Sequence, residues 1–172
     1  MIGGIFYPKK NDGCAVIRGF SDSDLAGDLD NRKSTSGLVF FLGSSPICWQ
    51  STKQKVVALS SCEAEYIAAA TAVCQAIWLA RLLAEITGEA VGRPVLRVDN
   101  KSTISLIKNP VHHDRRKHID TRFHLIREYV QAGQIGVEFI RTDEQLGDIL
   151  TKPLPRVNLQ QLCENISLLQ VQ

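Results

Sequence analysis

Nothing in the cysteine content of this sequence supports a disulfide scaffold or a Cys-x-x-Cys zinc site. The five cysteines, Cys14, Cys48, Cys62, Cys74 and Cys163, are odd in number and widely spaced, so they read as reduced thiols that mostly fill small core sites. No sign of charge dominates either. Lys and Arg number 20 against 18 Asp and Glu, so overall charge selects neither nucleic acid nor membrane, and a nucleic-acid surface has to be local. A run of about 18 apolar residues is missing. The Met1 region also lacks the charged, apolar and small-residue sections of a secretory signal. A soluble, intracellular protein without a membrane partner is expected. There is no internal repeat and no low-complexity tract.

What remains is 172 residues with 44% hydrophobic content, enough for one well-packed core and too little for two full domains. Residues 1–13 and 156–172 read as amino- and carboxy-terminal extensions around a domain at 14–155. Three β-like runs, 14–22, 37–42 and 46–51, are separated by loops and predict a meander. Ser60 and Ser61 open a helix to about residue 87, free of Pro and Gly, with Ile67, Ala70, Cys74 and Ile77 at helical spacing. Apolar residues nearly encircle it, which predicts a buried helix lying across the sheet. A strand at 95–99, a short helix from 101 to 109, a helix over 115–132 closed by Gly133, and a strand at 135–140 follow. Thr142 with Gln145 predicts the cap of a last helix, ended by Pro153 and Pro155. The order β β β α β α α β α implies an α/β fold with a mixed sheet.

Acidic residues stand at the ends or starts of four of these elements: Asp22, Glu65, Asp99 and Asp148. Carboxylates forced together repel unless they are protonated or bridged by a cation, and a cluster of this kind suits a hard divalent metal with oxygen ligands. Two Mg²⁺ ions roughly 4 Å apart can activate a water and stabilise the leaving oxygen of a phosphodiester displacement. Any one such Asp, taken alone, is as well explained as a turn or cap residue. Asp22 and Asp24 share a strand face, so periodicity does not choose between them. Glu63 and Glu65 are separated by about 200° around the helix and cannot face one metal pair. Ser60 with Glu63 fits a capping box, which leaves Glu65 available. An EF-hand starting at Asp22 fails, because its twelfth position is Lys33 rather than Glu.

The blocks GFSDSDLAGDLDNRKSTSGLVFFLGSSPICWQSTKQKVVALSSCEAEYIAA, VDNKSTISLIKNP, RRKHIDTRFHLIRE and EQLGDILTKPLP closely resemble the ribonuclease H region of copia-type (Pseudoviridae) LTR retrotransposon polyproteins. The likeness covers residues 19–155, and long matching blocks in one order are far more specific than a short motif. It implies a ribonuclease H-like fold: a five-stranded mixed sheet, three antiparallel meander strands plus two parallel, flanked by helices. It also implies an Asp-Glu-Asp-Asp site, which falls on Asp22, Glu65, Asp99 and Asp148, with two Mg²⁺ ions and Mn²⁺ able to substitute. The family's Asp follows Ser or Thr and precedes a small residue, which favours Asp22 over Asp24. The implied activity is hydrolysis of the RNA strand of RNA:DNA hybrids during reverse transcription, by a domain covalently linked to or associated with a reverse transcriptase. The implied setting is the cytoplasm, a virus-like particle or the nucleus.

Arg115, Arg116, Lys117, His118, Arg122 and Arg127 form the densest basic stretch, joined by Arg32 and Lys33. Such a stretch is either a solvated helix face or a set of phosphate contacts, of which Arg116, Lys117 and His118 are the candidates. Ser23, Ser34, Thr35, Asn100 and Ser102 lie beside the expected site and suit 2′-hydroxyl contacts, or alternatively serve the local backbone. Where many family members carry a His before the last Asp, this chain has Arg141, Thr142 and Asp143. His118 and His124, on the preceding helix, are expected to be structural. Leu25 stands where Trp is usual and Gly147 where Ala is usual; a helical Gly costs about 1 kcal/mol, so both suggest drift. A nucleic-acid-binding domain that has kept the fold and lost activity is therefore the alternative to an active nuclease. An integrase-like nuclease would use fewer carboxylates.

Overall fold

The computed structural model describes residues 2–5, 16–108, 117–166 and 168–171, with side chains for 16–108, 124–166 and Leu168. Strand alternation builds the centre. In β2 (Val16–Ser23), Ile17 faces one layer and Phe20 the other, and both are buried. β2 pairs antiparallel with β3 (Thr35–Leu42), which pairs antiparallel with β4 (Ser45–Lys53). On its other edge β2 pairs parallel with β5 (Gly92–Val98), and β5 pairs parallel with β6 (Gly136–Phe139). The sheet order is β4-β3-β2-β5-β6, the five-stranded mixed sheet expected. A separate antiparallel pair joins β1 (Ile2–Ile5) to β7 (Leu168–Val171).

One face carries α1 (Ser61–Thr87), with Ser60 as its N-cap and Gly88 closing it at φ 68°. Ala64, Ala68, Ala69, Ala72 and Ala76 are almost fully buried, and their small side chains let the helix lie close on the sheet. Its core includes Ile17, Leu38, Phe40, Leu96 and Val98, together with Ile104 of α2 (Lys101–Lys108) and Ile126 of α3 (Lys117–Gln131). The opposite face packs Phe20, Val39 and Phe41 against Ile140, Leu146 and Leu162. Leu162 belongs to α4 (Arg156–Asn165), in the segment expected as an extension.

Three expectations need correction. The last helix is instead a pair of 3₁₀ turns, Thr142–Glu144 and Leu146–Leu150. Gln145 between them has extended backbone (ψ 102°), and its side chain caps the second turn by accepting from the Gly147 amide while donating to Ser21 O of β2. α1 is not buried all round. Thr71, Cys74, Trp78, Leu82 and Ile86 form an exposed stripe at helical spacing, because the sheet covers only one side. Half of the apolar stretch that makes α1 long and apolar enough to cross a membrane is buried in the domain. Finally, none of the described cysteines is fully buried, and Cys74 is exposed.

Candidate metal centre

Parallel pairing sets the site. The register aligns Phe20 with Arg97, and two residues further along each strand path stand Asp22 and Asp99 on one edge of the sheet. α1 starts at the same edge, which brings Glu65 in from the other layer. Carboxylate oxygens of Asp22, Glu65 and Asp99 all lie within 4.8 Å of one another. Asp22 is 1% exposed and Glu65 6%, while Asp99 is partly exposed. Oε1 of Glu65 accepts from the Ser23 amide at 3.2 Å. Its Oε2 is buried without a hydrogen-bond partner. Burial, then the charges of Asp22 and Asp99, push the Glu65 carboxyl up to about 9: without a cation, this carboxyl is protonated at neutral pH.

Asp148 reaches the site from the second 3₁₀ turn, on the opposite face from α1. It is joined to Asp22 through Lys152, whose Nζ lies 2.9 Å from Asp148 Oδ1 and 3.3 Å from Asp22 Oδ1. Burial raises the Asp148 carboxyl to about 6, with Lys152 opposing the rise and Asp22 adding to it. Burial lowers the Lys152 ammonium, but its bonds to the two carboxylates outweigh this and leave it raised. Thr151 Oγ1 donates to Asp22 Oδ2. The sequence-predicted carboxylates therefore gather at one end of the sheet, three with oxygens within 4.8 Å of one another and Asp148 linked to Asp22 by a cationic side chain.

An all-oxygen donor set around a buried, unpartnered Glu65 oxygen fits a hard divalent cation. Such an ion would relieve the repulsion that protonation now relieves.

The neighbouring Asp24 is occupied elsewhere, accepting from the Thr35 amide in the loop after β2. Glu63 accepts from the Leu59 amide at 2.7 Å and donates its own amide to Ser60 Oγ at 3.2 Å, as a capping residue does. Of the residues expected to touch substrate, Ser34 is fully buried and its hydroxyl accepts from the Ala26 amide, so it serves the loop. Ser23 is buried too, bonded to Asp24 O and Gln54 Nε2. Asn100 Oδ1 caps α2 at the Thr103 amide, 3.0 Å away, while Ser102 is exposed and Thr35 partly so. Arg116 falls outside the described residues, as do the side chains of Lys117 and His118; His124 is exposed on α3.

Sequence reasoning missed the groups that hold this edge together. Gln145, fully buried, donates to Ser21 O at 3.0 Å and accepts from the Gly147 amide at 3.1 Å. A Cβ on Gly147 would lie 2.9 Å from Asp22 Cβ and 3.0 Å from its amide, so glycine here is what lets Asp148 approach Asp22, not a sign of drift. At Gly37 a Cβ would meet Thr151, Gly147 O and Leu150, all under 3.0 Å. Gln54 Nε2 donates to Ser23, Ser36 and Ala64 O, tying both strands to the start of α1. Gln145 and Gly147 stand out in the sequence in other roles, and the signal for Lys152 is its place four residues after Asp148.

No protein-family profile matches the chain. It is 46% identical over 151 residues, 88% of its length, to the retrovirus-related Pol polyprotein from transposon TNT 1-94 of Nicotiana tabacum. It is 42% identical over 168 residues, 98% of its length, to the corresponding polyprotein from transposon RE2 of Arabidopsis thaliana. The chain spans 11% of each of these relatives. Among solved structures it resembles the N-terminal ribonuclease H domain of Rv2228c from Mycobacterium tuberculosis, with TM-score 0.57 and 12% identity over 87% of this chain and 97% of that one. It also resembles LC11 ribonuclease H1, solved with an RNA/DNA hybrid, with TM-score 0.55 and 12% identity over 78% and 93% of the two chains. The chain thus has the ribonuclease H fold and is homologous to part of the Pol polyproteins of plant copia-type retrotransposons.

Proposed function

We propose that this domain is a metal-dependent endonuclease that hydrolyses the RNA strand of RNA:DNA hybrids, linked to or associated with a reverse transcriptase during retrotransposon replication. The observation that carries this reading is the meeting of Asp22, Glu65 and Asp99 within 4.8 Å around a buried oxygen that has no partner. Asp148 against Asp22 completes the set, so Asp22, Glu65, Asp99 and Asp148 would hold two Mg²⁺ ions, or Mn²⁺ in their place. When bound, such ions supply an activated water for in-line attack and stabilise the leaving oxygen. The protein's own part is to present the carboxylates in place. The Ser23 amide fixes Glu65 and Thr151 fixes Asp22, so little rotamer freedom is lost when cations bind.

The similarity to a ribonuclease H1 solved with its hybrid supports the choice of substrate. Thr35, Asn100 and Ser102 would be the remaining candidates for 2′-hydroxyl contact. Arg116, Lys117 and His118 would take phosphates, giving affinity that weakens with salt. The setting proposed is the cytoplasm, a virus-like particle or the nucleus.

Incubation of a labelled RNA:DNA hybrid with the chain in Mg²⁺ or Mn²⁺ tests this. Cleavage by wild type that falls about a hundred- to a thousandfold in Asp22→Asn, the scale of losing one charge-stabilising group, supports the nuclease. Hybrid binding without cleavage by the wild type would leave only a binding module.

A further inference from the structure

Lys152 is the one cationic side chain that the structure sets within ion-pairing distance of the carboxylate cluster among the described residues. It bridges Asp22 and Asp148, a 1% exposed carboxylate and a 12% exposed one, while its own side chain is 36% exposed. Two buried carboxylates that share one ammonium are costly to bring together unless a cation lies between them. A lysine ammonium meets that need as a point charge on a flexible stem, which can swing into solvent without moving the backbone. Within the Asp22, Glu65 and Asp99 group, by contrast, Lys152 pairs with Asp22 alone, and no ion pair to Glu65 or Asp99 is found among the described residues.

We propose that Lys152 is a built-in placeholder cation: its ammonium occupies the Asp22–Asp148 half of the metal centre in the ion-free domain and must be displaced before a divalent ion binds there. This rests on the reading of the four carboxylates as a metal site. The consequence is an asymmetric centre. One ion enters the Asp22–Glu65–Asp99 group against the hold of Lys152 on Asp22 alone, and the second binds more weakly because it displaces the ammonium from both Asp22 and Asp148. Metal at the second position then arrives most readily when another anion takes up the released ammonium. The phosphates of a nucleic-acid strand are anions of this kind, so the device couples the second ion to the presence of substrate.

The test is calorimetric titration of the full chain with Mn²⁺ alone, for wild type, Lys152→Met, Lys152→Arg and Lys152→Gln, together with melting temperatures with and without Mn²⁺. Lys152→Gln serves where Lys152→Met does not fold. The expected result is a weaker Mn²⁺ site in the wild type that tightens about tenfold in the uncharged variants, the scale on which groups neighbouring a metal act. Lys152→Arg stays close to wild type. The ion-free uncharged variants melt lower than wild type, and saturating Mn²⁺ closes the gap. A lysine with a purely structural role would lower both melting temperatures and leave Mn²⁺ affinity unchanged, and that result overturns the proposal. Weaker Mn²⁺ binding in the uncharged variants overturns it as well. If neither wild type nor Lys152→Met binds Mn²⁺, the metal-site reading itself falls; if wild type binds and the variant binds equally, only the role of Lys152 does.

Discussion

The two halves of the carboxylate centre are built differently. Asp22, Glu65 and Asp99 come from two parallel strand paths and a long helix, regular elements that many core contacts hold in place. The sheet and helix force these groups together, and the repulsion is left for a proton on Glu65 to relieve. Asp148 comes from a short 3₁₀ turn held by Gln145, Gly147 and Thr151, and it brings its own counter-ion four residues on. A rigid scaffold can store electrostatic repulsion because its packing outweighs it. The irregular segment that carries Asp148 is packed as closely, and there the charge stands next to its own neutralising cation.

The largest effect that breaks this comparison is at Glu65. Glu65→Gln is expected to reduce hybrid cleavage about a hundred- to a thousandfold and to remove most of the rise in melting temperature that Mn²⁺ gives the wild type. It also acts on pH dependence in the ion-free protein. The folded domain keeps the Glu65 proton to about 9 while the unfolded chain releases it near the ordinary 4.5. The folded state therefore binds more protons across that interval, and stability falls as pH rises through it. Asp148, raised to about 6, has the same sign over the narrower range above 3.8. Thermal melts in chelator from pH 5 to about 9 should show the decline continuing above pH 6 in wild type. In Glu65→Gln the decline should flatten above that point; an unchanged slope would mean that Glu65 does not hold the proton.

Gly147→Ala probes the irregular half. The added methyl would meet Asp22 at 2.9–3.0 Å, and overpacking of this kind typically costs about 1–3 kcal/mol. The expected result is a lower melting temperature together with a weaker response to Mn²⁺, because Asp148 is pushed from Asp22. A variant as stable as wild type would return Gly147 to neutral drift.

The smallest expected change is Asn100→Ala. It removes the cap at the start of α2 and should cost about 1 kcal/mol, seen as a modest fall in urea midpoint. It should leave Mn²⁺ affinity nearly intact, since Asn100 Oδ1 is spent on the Thr103 amide. A loss of hybrid affinity out of proportion to that fall would give Asn100 a direct part in substrate contact.

The elements with strong periodicity were readable from the chain. The 60–87 helix with its Ser60 cap, the three-strand meander and the β5-α2 turn lie where their spacing puts them. The last helix was misread because Thr142 and Gln145 have capping spacing, yet Gln145 reaches Ser21 O across 124 residues of sequence, a partner that no local pattern encodes. The exposed stripe on α1 was missed for a related reason. Its Trp78, Leu82 and Ile86 are apolar, and composition does not say which side of a helix the sheet covers. Asp22 is separated from Asp24 by the family resemblance, since periodicity does not choose between them, and Glu65 from Glu63 by helix phase and the Ser60–Glu63 capping box.

The sequence by itself determined which elements form and which acidic residues end them, since periodicity, caps and turn residues act over a few positions. Only the tertiary structure decided that these acids meet, that Gly37 and Gly147 leave room for the Asp148 turn, and that Lys152 lies between two of the carboxylates. Those outcomes depend on contacts between segments far apart in the chain, where distance in space, not spacing along the chain, sets the energy.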